Sequence, residues 1–321
     1  MSKTIKLKQL ADENGIFKIL ALDHVSTLRN GLTKMTGIDN INDLDLLRIK
    51  KAVIKALEAE ISGILLDPDT YYVCQDDFTS SIGTLIKFEN GWVNGARTRE
   101  RVTSVNETWT LERIASTKAL GIKLMLYYRP DASKDTIGKQ KELVRKIGKE
   151  CKKLDIIFCL EPMWYPLLDD EVDPGLGTAR ILAQRRPMLV IDSLRDFARP
   201  EYHVDLFKLE FPADLNFVKE YVKHGDNTIN PLYDLSFVKD LCREMGAIVT
   251  VPWTVMSSGV SNPVFIKYIH LCKEGCVSGY ICGQAIWKDA LRTYPNFQAI
   301  NDGLNQGAVL NIRRINKAMN S

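Results

Sequence analysis

The chain has 321 residues, 45% of them hydrophobic and 26% charged, with a formal net charge of +3. That is enough apolar material for a sizeable core, and Lys and Arg interspersed with Asp and Glu argue against a nucleic-acid-binding face. The first twelve residues carry lysines but no apolar signal segment, and no run approaches the ~18 apolar residues of a membrane span, so a cytoplasmic protein with neither nucleic acid nor membrane as partner is expected.

Short β-rich apolar runs alternate with longer segments of helical spacing. The first run, 15–22, ends at Asp23 and is followed by a helical segment at 44–60. The run 61–66 ends at Asp67, and a weaker run at 84–88 precedes helical spacing over 106–120. Lys123 stands in the run 122–128, a helix is expected over 136–154, and the run 156–160 ends at Glu161. A helical stretch at 177–186 leads to the run 204–211, which holds Lys208 and Glu210. The series closes with helices at 235–245, 263–274 and 287–292 and runs at 247–253 and 277–282. Eight strands with crossover helices, and no linker or internal duplication, predict an α/β chain forming a single (β/α)8 TIM-barrel domain over 1–321, with its core at about 15–295 and an extension at 296–321. The alternative, a doubly wound open sheet, lacks its GxGxxG fingerprint after the first strand, and Gly175 and Gly177 give only GxG.

The seven cysteines, at 74, 151, 159, 242, 272, 276 and 282, are odd in number and scattered, unlike a disulfide framework. His270, Cys272 and Cys276 lack a CxxC pair and a fourth ligand, so buried thiols on a helix are expected there and no metal site.

In a barrel, chemistry gathers at the carboxyl ends of the strands, so charges late in apolar runs are the residues to collect. Asp23, Asp67, Lys123, Glu161, Lys208 and Glu210 fit that description. Side chains alternate along a strand, so Phe207, Leu209 and Phe211 share one face and should pack on helices, leaving Lys208 pointing inward. Desolvation disfavours a buried ammonium, and a neutral amine is a nucleophile, but an ion pair with Glu210 or Glu161 explains such a lysine equally well. Lys123 follows a glycine at a strand entrance and could reach solvent along its stem, while Asp23 and Asp67 could cap the following turn. Ser257, Ser258, Gly259 and Gly283, after the last two strands, are small residues whose N–H groups could cradle a phosphate.

These segments together resemble the class I tagatose-1,6-bisphosphate aldolase family, which includes related sulfofructose-phosphate aldolases. The resemblance runs over 17–287 and rests on ALD in the first strand, ILLDP at 64–68, KLMLYY, the LEP containing Glu161, DLFKLEFP, SSGVS and GYICGQAIW. It implies a Schiff-base lysine at Lys208, an acid/base at Glu161, and Lys123 and Asp23 tuning charge and holding substrate hydroxyls. It also implies cleavage of a ketohexose phosphate or bisphosphate, such as tagatose 1,6-bisphosphate, into a three-carbon ketone and a three-carbon aldehyde. No cofactor or metal is implied, because the protonated imine is the electron sink. A homo-oligomer, with a dimer favoured, is a further expectation. Where the family has Asp-Gln-Arg this chain reads Asp23-His24-Val25, and where it has Cys-Gly-Arg it reads Cys282-Gly283-Gln284. His24, Asp67, Ser257, Ser258, Gly259, Gly283 and Gln284 are therefore the expected substrate-binding set. With two anion-binding arginines missing, the substrate is expected to lack a phosphate or to meet Arg29 or Arg129 instead. A transaldolase, an aldolase for a less phosphorylated or sulfonated ketose, and a non-catalytic sugar-phosphate sensor are the competing readings.

Overall fold

The computed structural model describes residues 2–77, 82–167, 170, 177–222 and 230–321; Gly175 lies outside them. Its ten strands are β1 (Phe17–Leu22), β2 (Gly63–Leu66), β3 (Gly83–Lys87), β4 (Glu89–Asn94), β5 (Arg101–Val105), β6 (Gly121–Tyr127), β7 (Ile157–Met163), β8 (Leu206–Leu209), β9 (Trp253–Met256) and β10 (Gly279–Cys282). All but β4 and β5 close into a parallel barrel in the order β1-β10-β9-β8-β7-β6-β3-β2, as the alternation of apolar runs and helices predicts. The remaining two form an antiparallel hairpin between β3 and β6.

Strand parity divides the apolar residues. Phe17, Ile19, Leu65, Leu85, Cys159 and Leu206 fill the barrel interior, whereas Leu20, Ile64, Ile122, Phe158, Phe207 and Val255 join the larger core beneath the helices. The amino end of the barrel is plugged by α1 (Lys3–Leu10). Its Leu10 is fully buried in the interior cluster, and the Ser62 hydroxyl donates to the Leu10 carbonyl at 2.7 Å. Gly83 is required beneath it, because a Cβ there would sit 2.7 Å from the Gln9 carbonyl oxygen.

The outer layer contains α2 (Ser26–Thr36), α3 (Asp43–Leu57), α4 (Pro68–Cys74), α5 (Leu111–Ala115), α6 (Lys134–Lys153), α7 (Thr178–Phe197), α8 (Leu235–Ile248), α9 (Asn262–Cys272), α10 (Gln284–Trp287), α11 (Phe297–Gly303) and α12 (Val309–Asn320). Several boundaries depart from expectation. The segment 247–253 is not the seventh strand: α8 runs to Ile248, and the strand starts at Trp253, after Pro252. The helix expected to stop at Arg186 continues through Pro187, because the Ala183 carbonyl that Pro187 cannot satisfy accepts from the Tyr233 hydroxyl. Only five residues of the expected 106–120 helix are helical, and 287–292 is mostly a 3-10 turn after α10. The extension at 296–321 folds back as α11 and α12, where Asn316 accepts from the Tyr280 hydroxyl at 2.6 Å. Among the described residues no helix is long and apolar enough to cross a membrane.

Candidate active site

At the carboxyl end of the barrel the strands surround a cavity of about 480 Å³, a size suited to a small metabolite. Lys208 stands third in β8, between Phe207 and Leu209 of the outer core, so parity turns it inward, where it is 5% exposed. Its Nζ lies 2.9 Å from Glu161 Oε1. Glu161, late in β7, places its other oxygen 3.0 Å from Lys123 Nζ. Lys123, third in β6, also meets Asp23 Oδ2 at 2.8 Å and Glu89 Oε1 at 2.6 Å. The solvent-reaching alternative for Lys123 is thereby corrected: the residue is 1% exposed, because three carboxylates offset the desolvation of its ammonium.

The charges follow from this geometry. Burial opposes the Lys123 ammonium, but Asp23, Glu161 and Glu89 hold its pKa well above that of an ordinary lysine. Burial likewise opposes the Asp23 and Glu161 carboxylates, yet Lys123 and Lys208 bring both below their ordinary values, Asp23 by more. Glu89 is the one of the three for which burial wins, and its pKa is raised. The cluster therefore contains a permanently charged lysine, a carboxylate bridging two amines, and a carboxyl inclined to hold a proton.

Asp23 caps no helix: Val25 is the N-cap of α2, and Asp23 faces the cavity. Next to it, His24 also lines the cavity, with Nδ1 3.7 Å from Asp23 Oδ1 and its ring edge-on to Trp287; burial lowers its pKa. Glu210 lines the wall with one oxygen accepting from the Trp164 N–H at 3.3 Å and the other 3.6 Å from Arg186, and burial pushes its pKa up to about 7. Ser257, Ser258, Gly259, Gly283 and Gln284 form the rim over β9 and β10. Ser258 and Gly259 have φ of 47° and 78°, a left-handed pair in which a glycine removes the steric cost.

Asp67 does not join them. It caps α4 by accepting from the Thr70 N–H at 3.1 Å and is ion-paired to buried Lys50, away from the cavity lining. Neither Arg29 nor Arg129 faces the cavity: Arg29 is held by Asp43 and the Ile41 carbonyl, and Arg129 by Asp131 and Asp170. Glu89, Lys87 and Arg186 line it without having been expected. Glu89 follows the weak third run by a single residue, and its position at a strand end was the available signal. Among the described residues no group of three or more His, Cys, Asp or Glu could hold a metal ion, and Cys272 is buried while Cys276 is exposed.

The family described as "DeoC/LacD family aldolase" matches residues 17–289. The chain belongs to that family. This aldolase, a carbon-carbon lyase, is 26% identical over 292 residues to the tagatose 1,6-diphosphate aldolase of Streptococcus agalactiae, covering 90% of this chain and 86% of that one. It is 26% identical over 322 residues to that of Staphylococcus haemolyticus, covering 99% and 95%. Among solved structures the aldolase fold resembles an archaeal fructose 1,6-bisphosphate aldolase (TM-score 0.61, 14% identity, 99% of each chain). It also resembles the Plasmodium falciparum fructose-bisphosphate aldolase (TM-score 0.70, 13% identity, 99% of this chain and 93% of that one).

Proposed function

We propose that this aldolase cleaves a phosphorylated ketohexose of the tagatose 1,6-bisphosphate type through a Schiff base on Lys208. The observation that carries the reading is the bridge of Glu161 between two amines, 2.9 Å from Lys208 and 3.0 Å from Lys123. Glu161, within hydrogen-bond distance of both amines, is placed to accept the proton that the Lys208 amine loses on attack. Lys208 Nζ adds to the C2 carbonyl to give a carbinolamine; Glu161 returns the proton to the departing hydroxyl, and water leaves as the iminium forms. Glu161 then takes the C4 hydroxyl proton, the C3–C4 bond breaks, and its electron pair enters the iminium to give an enamine and the free aldehyde. Protonation at C3 and addition of water release the three-carbon ketone and restore the amine. The iminium is the electron sink, so the reaction requires neither a metal nor an organic cofactor.

In this reading Asp23 and Lys123 hold substrate hydroxyls near the cleaved bond. The N–H groups of Ser257–Gly259 and Gly283, beside Lys208, receive the anion on the ketone half, with His24 and Gln284 at the rim. A purely structural ion pair leaves the cavity without purpose, and a sensor has no use for a lysine bridged to an acid/base group.

Borohydride reduction in the presence of dihydroxyacetone phosphate, and separately of dihydroxyacetone, tests the mechanism. A mass adduct on the peptide containing Lys208, absent from Lys208→Met, is expected. Absence of an adduct with any ketose or three-carbon ketone would sink the imine mechanism. Retention of a three-carbon unit that is discharged only by an added aldehyde would reassign the enzyme as a transaldolase.

A further inference from the structure

Among the described residues four lysine or arginine side chains line the cavity: Lys87, Lys123, Arg186 and Lys208. Lys123 and Lys208 share Glu161, and Arg186 is held by the Phe211 carbonyl at 2.9 Å and faces Glu210 at 3.6 Å. Lys87 alone has no carboxylate within ion-pair distance among the described residues, although it is only partly exposed and closes the strand whose Leu85 points into the barrel interior. Lys87 stands two positions after Leu85, with only Ile86 between them, so the same parity turns Lys87 inward, in register with Lys123 of the neighbouring strand. Glu89 feels the charge of Lys87 but does not reach ion-pair distance, and burial inclines that carboxyl to hold a proton, so a cation partly removed from water is left able to take an anionic partner.

Its place in the barrel says what that is. β3, which carries Lys87, and β9, which leads to Ser257–Gly259, are four strands apart in either direction around the eight, and therefore opposite. Lys208 is on β8, next to β9, and Lys123 on β6, next to β3. A six-carbon chain whose ketone lies at Lys208 and whose near end reaches the β9 rim must cross Glu161 and Lys123 and end toward β3.

We infer that Lys87 is the residue that meets the phosphate on the aldehyde half of the substrate and so sets the preference for a phosphorylated over an unphosphorylated aldehyde. The inference rests on the proposed Schiff-base reaction, and it names a cation for the anionic end that neither Arg29 nor Arg129 faces. A lysine binds phosphate as a point charge, so the contact makes affinity without fixing the orientation a bidentate arginine would impose.

The test runs the reaction in the direction of synthesis, with whichever three-carbon ketone gives the Lys208 adduct, and compares glyceraldehyde 3-phosphate with glyceraldehyde as acceptor. The native enzyme prefers the phosphorylated aldehyde in kcat/KM, and Lys87→Met or Lys87→Gln reduces that preference ~10–100-fold, mostly through KM, as expected for one lost charge-assisted contact. Lys87→Arg restores it. A native enzyme indifferent to the phosphate, an unchanged preference in both variants, or an equal loss on both aldehydes would each overturn the role of Lys87. Failure of the native protein to form any adduct would instead remove the Schiff-base reading itself.

Discussion

Glu161 touches both amines of the site, and the consequence can be measured. Glu161→Gln keeps the shape but cannot move a proton, so turnover should fall ~10²–10⁴-fold, while thermal denaturation remains cooperative. An unchanged kcat would take the acid/base role from Glu161. Glu210 makes a prediction about pH. Its carboxyl titrates near 4.5 when solvated and is pushed up to about 7 by burial in the fold. Between those values the folded state binds more protons than the unfolded one, so stability falls as pH rises through this window and levels off above it. The difference corresponds to about 3 kcal/mol. Glu210→Gln removes the ionisable group, so its stability relative to the native chain should increase between pH 4 and pH 8 in denaturant unfolding. A difference independent of pH would show that Glu210 titrates normally.

At the scale of elements, glycines set how closely the layers approach. A Cβ on Gly148 of α6 would lie 1.9 Å from the Tyr202 carbonyl oxygen, a backbone atom that cannot swing aside. Intrinsic propensity favours alanine in a helix by ~0.5–1 kcal/mol, but overpacking against backbone costs ~1–3 kcal/mol. Gly148→Ala should therefore destabilise the protein in chemical denaturation, and a stabilised variant would mean that α6 can slide outward. The same scale explains what the sequence disclosed. The barrel was legible because its strands are apolar on both faces and separated by helical spacing, and Lys208 was legible because a lysine with aromatic neighbours at alternate positions must face the other way. Asp23 and Asp67 gave the same signal, a carboxylate ending an apolar run, and met opposite fates. Lys50 on α3 draws Asp67 away while Lys123 draws Asp23 in, and those partners are distant in sequence. Glu89 was hidden because it belongs to the hairpin strand β4, where one oxygen accepts from Lys123 and the other from the Met125 N–H at 2.9 Å. Arg186 was hidden because it reaches the cavity from a helix, outside any strand pattern.

For the molecule as a whole, the decisive feature is the asymmetry between its two ends. Among the described residues the cavity lies at the carboxyl end of the barrel, while α1 covers the amino end with Leu10 in the interior cluster. A barrel sealed at one end is a blind alley, and everything that enters must leave by the same door. In the proposed Schiff-base reaction one fragment stays tethered to Lys208 when the carbon-carbon bond breaks, and the other is free. Traffic is then ordered: the aldehyde departs first, and the ketone follows after hydrolysis. Product inhibition reports that order, with the ketone competitive against the ketose and the aldehyde noncompetitive. The reverse pattern would mean that the ketone leaves before the aldehyde, which a fragment held as an imine cannot do.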